Sequence, residues 1–491
     1  MNGLTMWMEK YLVPIAGKIG SEKHLVALRD AFIGTMPATM AGSVALMINA
    51  IIRNLPEQFN KNYDYTQIPV INEIVGINGY IWNGTIAIAG LIFAFSWGYN
   101  LAKAYKVNEL AGGIVSLSAL IQGIAFSATG IVNVPQGDLG KKAIDALTTA
   151  GSVVSTVSET DPVTGEILKF DSVQNAAWGW LNLNHLNGNA FFTAMILGAL
   201  AVIIFAKLMQ KNITIKLPDT VPPAVSKAFA AIIPATVALY VIGIINYFFF
   251  RFTDMLLIDA VQKYIAEPLM GFSQGFVAVV IITLFVQILW FFGLHGPNIL
   301  APILEGVFGQ GQLINQAIYQ TGYAGKTGSA AVIEAAKDGK AFLWVRGSFD
   351  AYSWFGGSGG TLTLILAILI FSKRADYLTI GKLTLGPGIF NINEPIMFGL
   401  PIVLNAIMFI PFLLAPIVSV SIGYFATILG WVNPVTQAVT WVTPPLLLSF
   451  LATVDWRAPI VTLVCMIVTF FIWTPFVIAA NKIDPSLGEN E

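Results

Sequence analysis

The sequence predicts an all-α polytopic membrane protein, on three observations. Of 491 residues, 56% are hydrophobic and only 11% charged, where soluble domains carry about 25% charged residues. The mean hydropathy is +0.73. Uncharged stretches recur along the chain at lengths near the ~20 apolar residues that a spanning helix needs. The net charge of −1 argues against a nucleic-acid binder or a basic peripheral protein. No Walker A sequence and no Gly-rich dinucleotide fingerprint is present, so the chain does not read as an ATP-driven pump.

Taken in order, the first 30 residues hold Glu9, Lys10, Lys18, Glu22, Lys23, Arg29 and Asp30. They read as an amphipathic, surface-lying lead-in without a signal-peptide pattern, so the first span is expected to be retained. Candidate spans run over 31–52, 80–102, 110–132, 188–206 and 228–250, then 275–294, 351–372, 400–424, parts of 425–454, and 458–480. That makes roughly ten. Lys103 and Lys106, then Lys207, Lys211, Lys216 and Lys227, then Lys373, Arg374 and Lys382 mark cytoplasmic loops. Both termini are expected on that side. The loop 133–187 is more acidic, rich in Thr, Ser, Val and Gly, and is expected outside, with a small strand pair.

Three domains follow: an N-terminal scaffold over 1–250, an interfacial linking helix over 251–274, and a C-terminal domain over 275–491. The linker carries an apolar helical stripe with charges spread along it. Beyond it, spans are broken by Gly-Leu-His-Gly-Pro-Asn, by the glycine run 356–360, by Gly-Pro-Gly and by Trp-Val-Thr-Pro-Pro. Broken helices meeting inside the bilayer are how many transporters build a substrate site.

Glu394 stands at the head of the longest such stretch: no Asp, Glu, Lys, Arg or His occurs from 395 to 454. A carboxylate there is costly unless it faces a wet cavity or a partner. A carboxylate satisfied by free backbone N–H groups is the alternative. Asn391 and Asn393 are placed to orient Glu394 or to bind ligand hydroxyls, and would share a face in an extended segment. His295 is the only residue of those ionisable types between Glu267 and Glu305. Its flanking glycines and proline favour a functional role over a helix cap. Trp290 and Trp441 are candidate platforms for the apolar face of a sugar, whose hydroxyl rim suits Asn, Asp, Glu and His. Asp350 is expected to pair with Arg346 at i, i+4, with ligand contact as its second reading. Cys465, the single cysteine, reads as a buried small hydrophobe.

The segments 77–85, 291–298, 356–359 and 386–399, the last reading Gly-Pro-Gly-Ile-Phe-Asn-Ile-Asn-Glu-Pro-Ile-Met-Phe-Gly, give the chain a resemblance. It resembles the EIIC membrane component of the lactose/cellobiose (N,N'-diacetylchitobiose) branch of the phosphoenolpyruvate-dependent sugar phosphotransferase system. The resemblance implies a homodimer of ten-span protomers in the bacterial cell membrane. A scaffold would hold an elevator-type transport domain with re-entrant hairpins. It also implies import of a β-linked disaccharide, such as cellobiose, diacetylchitobiose or lactose, or of a β-glucoside. The sugar would be phosphorylated at its C6 hydroxyl from a phosphocysteine on EIIB, supplied in turn by EIIA and HPr. By the same resemblance His295 and Glu394 bind the sugar near that hydroxyl and are the catalytic candidates. No cofactor is implied. Cys465 lies in too apolar a run to be the phosphocysteine, so EIIB would be a separate protein. Two other readings compete: an ion-coupled sugar transporter using Glu394, and a passive pore or receptor working through the external loop.

Overall fold

The computed structural model describes residues 21–54, 62–135, 138–149, 153–160, 167–218, 220–400 and 405–481, with isolated positions 18, 56, 60, 402 and 403. Most of the 1–30 lead-in and the chain beyond 481 lie outside the described residues.

Helix Lys23–Asn49 begins where Glu22 accepts hydrogen bonds from the N–H groups of His24 and Leu25 at 2.8 and 2.9 Å, which satisfies donors the first turn leaves free. Among the described residues six helices are long and apolar enough to cross a membrane: Lys23–Arg53, Pro69–Ala104, Gly188–Gln210, Pro223–Thr253, Ile407–Ile428 and Ala458–Ala480. Leu257–Ser273 and Phe276–Phe291 meet at 78° and add a seventh if counted together. Glu109–Ile121 and Thr361–Phe371 are apolar but shorter.

Several expected spans are shorter than their hydropathy. The stretch 110–132 is helical only to Ile121; past Gly123 it becomes strand β1, Ser127–Pro135. The expected strand pair is a three-stranded antiparallel sheet in the order β1-β3-β2, with β2 at Val153–Thr160 and β3 at Ile167–Trp178. The body is helical, and this sheet is the one departure from all-α among the described residues. In the second half the glycines at 356–360 delay helix until Thr361, and beyond the helix that ends at Ile428 the stretch to 454 yields one short helix, Pro445–Thr453.

Small residues let helices approach closely in the first half. A Cβ on Gly98 would lie 2.3 Å from Ser116 Cβ, and one on Gly198 2.3 Å from Ser116 Oγ, the packing that membrane helices favour. Phe93 stacks between Phe32 and Phe191, with centroids 4.6 and 4.7 Å away. The second half packs around Trp344, Phe349, Tyr352, Phe412 and Trp473, all fully buried. There the Ser419 hydroxyl donates to the Tyr352 carbonyl, and Thr462 Oγ1 to the Ala351 carbonyl at 3.0 Å. Cys465 is fully buried beside Ser419, as its apolar run indicated.

Candidate functional site

Helix Phe276–Phe291 ends in a turn through Gly293, whose φ is +74°. The chain doubles back so tightly that a Cβ on Gly296 would lie 2.3 Å from the Val286 carbonyl oxygen. His295 caps the short helix Gly296–Ile299, its Nδ1 accepting from the Asn298 N–H at 3.2 Å. The neutral ring therefore carries its proton on Nε2. That nitrogen lies 3.7 Å from Glu394 Oε1, with both side chains partly exposed. Trp290 backs the imidazole, ring centroids 4.6 Å apart, and donates from Nε1 to Ser358 Oγ at 2.7 Å. It is 1% exposed and supports the histidine from behind.

Helix Ala375–Ile389 gives way at Asn391, where φ is +61°. Residues 390–393 turn instead of extending, so the two asparagines point to different partners. Asn391 Oδ1 accepts from the Gly356 N–H at 2.9 Å, and its Nδ2 donates to the carbonyls of Trp441 and Thr443 at 2.7 and 2.8 Å. Its amide thus ties together three segments. Asn393 donates to Ser358 Oγ at 3.5 Å. Glu394 then opens helix Glu394–Gly399, with Pro395 in the first turn where a missing N–H costs nothing.

Gly357 makes this junction possible. Its φ is +98°, and a Cβ there would lie 2.5 Å from Asn393 Cβ. Gly357→Ala is expected to cost about 1–3 kcal/mol from backbone strain alone, with the clash added. A lowered unfolding temperature in detergent, together with weakened sugar binding, checks this.

Arg346 and Asp350 make the expected pair, Nη1 to Oδ2 at 2.7 Å. Sequence reasoning missed the third member. Arg346 Nε also donates to Glu305 Oε1 at 2.8 Å, and its guanidinium lies 4.5 Å over the Trp354 ring. Glu305 sits in a π-helical turn, Leu304–Gly309, a feature that often marks function. Its signal was available: it is the next ionisable residue after His295.

One cavity of about 340 Å³ gathers these groups. His295, Asn391, Asn393, Glu394, Asp350 and Trp441 all line it; Trp290 does not. Ser358, Arg346, Glu305 and Gln312 add further polar groups. Helix Lys23–Asn49 also lines it, presenting Arg29, Phe32, Thr35, Met36, Thr39 and Met40. Trp441 is 40% exposed and offers ring surface to the space. The arrangement suits a small polyhydroxylated molecule: an imidazole N–H to donate, carboxylates to accept, and aromatic and apolar side chains in the lining.

The family model for the phosphotransferase system, EIIC, matches residues 29–416. The chain belongs to this EIIC family. This EIIC chain is 50% identical to the cellobiose-specific EIIC component of Lactococcus lactis subsp. lactis (strain IL1403), over 99% of each chain. It is 32% identical to the oligo-beta-mannoside-specific EIIC component of Bacillus subtilis (strain 168), over 97% of this chain and 94% of that one. Its fold matches the crystal structure of the transporter ChbC, the IIC component of the N,N'-diacetylchitobiose-specific phosphotransferase system, with a TM-score of 0.79. That match has 29% identity and covers 99% of this chain and 100% of the other. This EIIC chain is thus a multi-pass membrane permease component of a sugar phosphotransferase system.

Proposed function

We propose that this EIIC chain imports a β-linked disaccharide and holds its C6 hydroxyl for phosphorylation by a separate phospho-EIIB. The observation that carries the reading is the His295–Glu394 pair, 3.7 Å apart at the wall of a cavity faced by Trp441. In this reading Glu394 accepts the proton of the C6 hydroxyl, and the His295 Nε2–H orients that hydroxyl or the neighbouring ring oxygen. Trp441 stacks on a sugar ring, and Asn393 binds its rim. Asn391 and Trp290 act as positioning residues, since their polar atoms are committed to protein partners. Asp350 contributes through its pair with Arg346. Phosphoryl transfer then needs mainly alignment and charge stabilisation. Cys465 is fully buried in an apolar run and does not suit a phosphoryl donor, so this reading requires a separate EIIB.

Cellobiose is the first sugar to test, because the relative at 50% identity bears that specificity in its name. The same reading includes an elevator-type domain over 275–491 moving against the 1–250 scaffold through the 251–274 link. It also includes ten spans with re-entrant hairpins, a homodimer in the bacterial cell membrane, and both termini on the cytoplasmic side. A competition-binding panel of cellobiose, diacetylchitobiose, lactose and aryl β-glucosides on the purified protein tests the sugar class. Failure of all β-linked sugars to compete would remove it. His295→Ala is expected to weaken cellobiose binding about tenfold, the loss of one to two polar contacts. Unchanged affinity would take His295 out of the site.

A further inference from the structure

A second cavity, of about 370 Å³, lies apart from the Glu394 pair. It is walled by Trp82 at the end of helix Pro69–Asn83, by the 183–189 segment, by Gln262, and by one face of helix Gln310–Thr321. The two cavities share that last helix: Gln312 and Leu313 line the first, Ile314 and Ala317 the second.

Its chemistry is that of a saccharide site. Trp82 and Tyr323 supply rings for an apolar sugar face, while Asn184, Asn187 and Gln262 supply amides that both donate and accept, as vicinal hydroxyls require. Lys340 and Glu267, 3.6 Å apart, add a charged pair to the wall. Trp82 Nε1 and Gln262 Oε1 are buried and have no hydrogen-bond partner among the described residues. The frame is braced: His185 Nδ1 accepts from the Ala125 N–H at 3.3 Å, and Nε2 donates to Asp259 Oδ1 at 2.9 Å.

The cavity also has a side. Helix Ala89–Ala104 begins beside it, after Ala87, and carries Lys103 at its far end. Helix Phe191–Gln210 likewise begins just after Asn189 and carries Lys207 at its far end. Lysine-rich ends face the cytoplasm, so this cavity lies at the opposite ends of those helices, toward the external side. The Glu394 cavity instead reaches Arg29, near the end of the first helix where Lys23 lies over the ring of Tyr105, beside Lys103 and Lys106.

We propose that this cavity is a second saccharide-binding site, on the external side, that takes up the β-linked disaccharide before it reaches Glu394. The proposal rests on the permease reading above. Cys465 is the only cysteine and is fully buried. Leu183→Cys, at a cavity residue 43% exposed, therefore gives a single accessible thiol. In right-side-out proteoliposomes, external cellobiose is expected to slow its labelling by a membrane-impermeant maleimide. The slowing should persist when His295→Ala and Glu394→Ala disable the inner site. Trp82→Ala and, separately, Gln262→Leu should raise the cellobiose needed by about tenfold, with EIIB-dependent phosphorylation at saturating sugar showing that each variant is folded. Three results would overturn the proposal: no protection, protection that vanishes with the inner-site changes, or a thiol labelled only from the inside. If wild-type protein phosphorylates cellobiose while protection is absent, the second site alone falls. If both are absent, the permease reading falls with it.

Discussion

Glu394→Gln is expected to lower EIIB-dependent sugar phosphorylation by about 10²–10⁴-fold, the usual contribution of a positioned general base. The substitution keeps shape and hydrogen-bonding reach but cannot take up a proton. Sugar affinity should fall much less, because the amide oxygen can still accept a hydrogen bond from a sugar hydroxyl. A loss in turnover with little change in apparent affinity marks a group that acts in the transition state. Single-turnover phosphorylation beside equilibrium binding separates the two. Near-normal turnover would sink the base assignment and leave Glu394 as a binding residue, without touching the family membership.

The second large effect is on stability. Arg346→Met is expected to cost about 3–5 kcal/mol, the usual result of removing one member of a buried charge cluster. Arg346 and Asp350 have side chains only 16% and 12% exposed, and Glu305 would be left facing Asp350 without the cation between them. Glu305 is 39% exposed, so solvent relieves part of its share and the lower end of that range is expected. Packing on the Trp354 ring is lost as well. The triple change Arg346→Met, Asp350→Leu, Glu305→Gln should recover most of the stability, because it leaves no unpaired buried charge. Thermal unfolding in detergent measures both. An unaltered midpoint for Arg346→Met would show that the cluster is not structural.

Much of this was legible in the sequence for a simple reason: in an apolar chain each ionisable residue stands out. Glu394 and His295 were found by isolation, and the Arg346–Asp350 pair by helical spacing. The limits have physical causes too. Hydropathy over 110–132 cannot tell helix from strand, and the helix there ends at Ile121. Trp290 lies near His295 in sequence, yet only the packed structure shows its ring behind the imidazole and away from the cavity. Asn391 reads as a ligand to any hydroxyl until its partners at 356, 441 and 443 are known, and those lie 35 to 52 residues away. The wall supplied by Phe32, Thr35, Met36 and Thr39 carries no local signal, because these residues read as part of an ordinary spanning helix.

The account turns on how sugar leaves the Glu394 cavity. Inverted vesicles holding the wild-type chain, supplied with labelled cellobiose, should form phosphorylated sugar when phosphorylated EIIB is added and none when it is omitted. Accumulation of unmodified cellobiose that ignores EIIB and collapses with a protonophore would contradict the account and make Glu394 the site of an ion-coupled carrier.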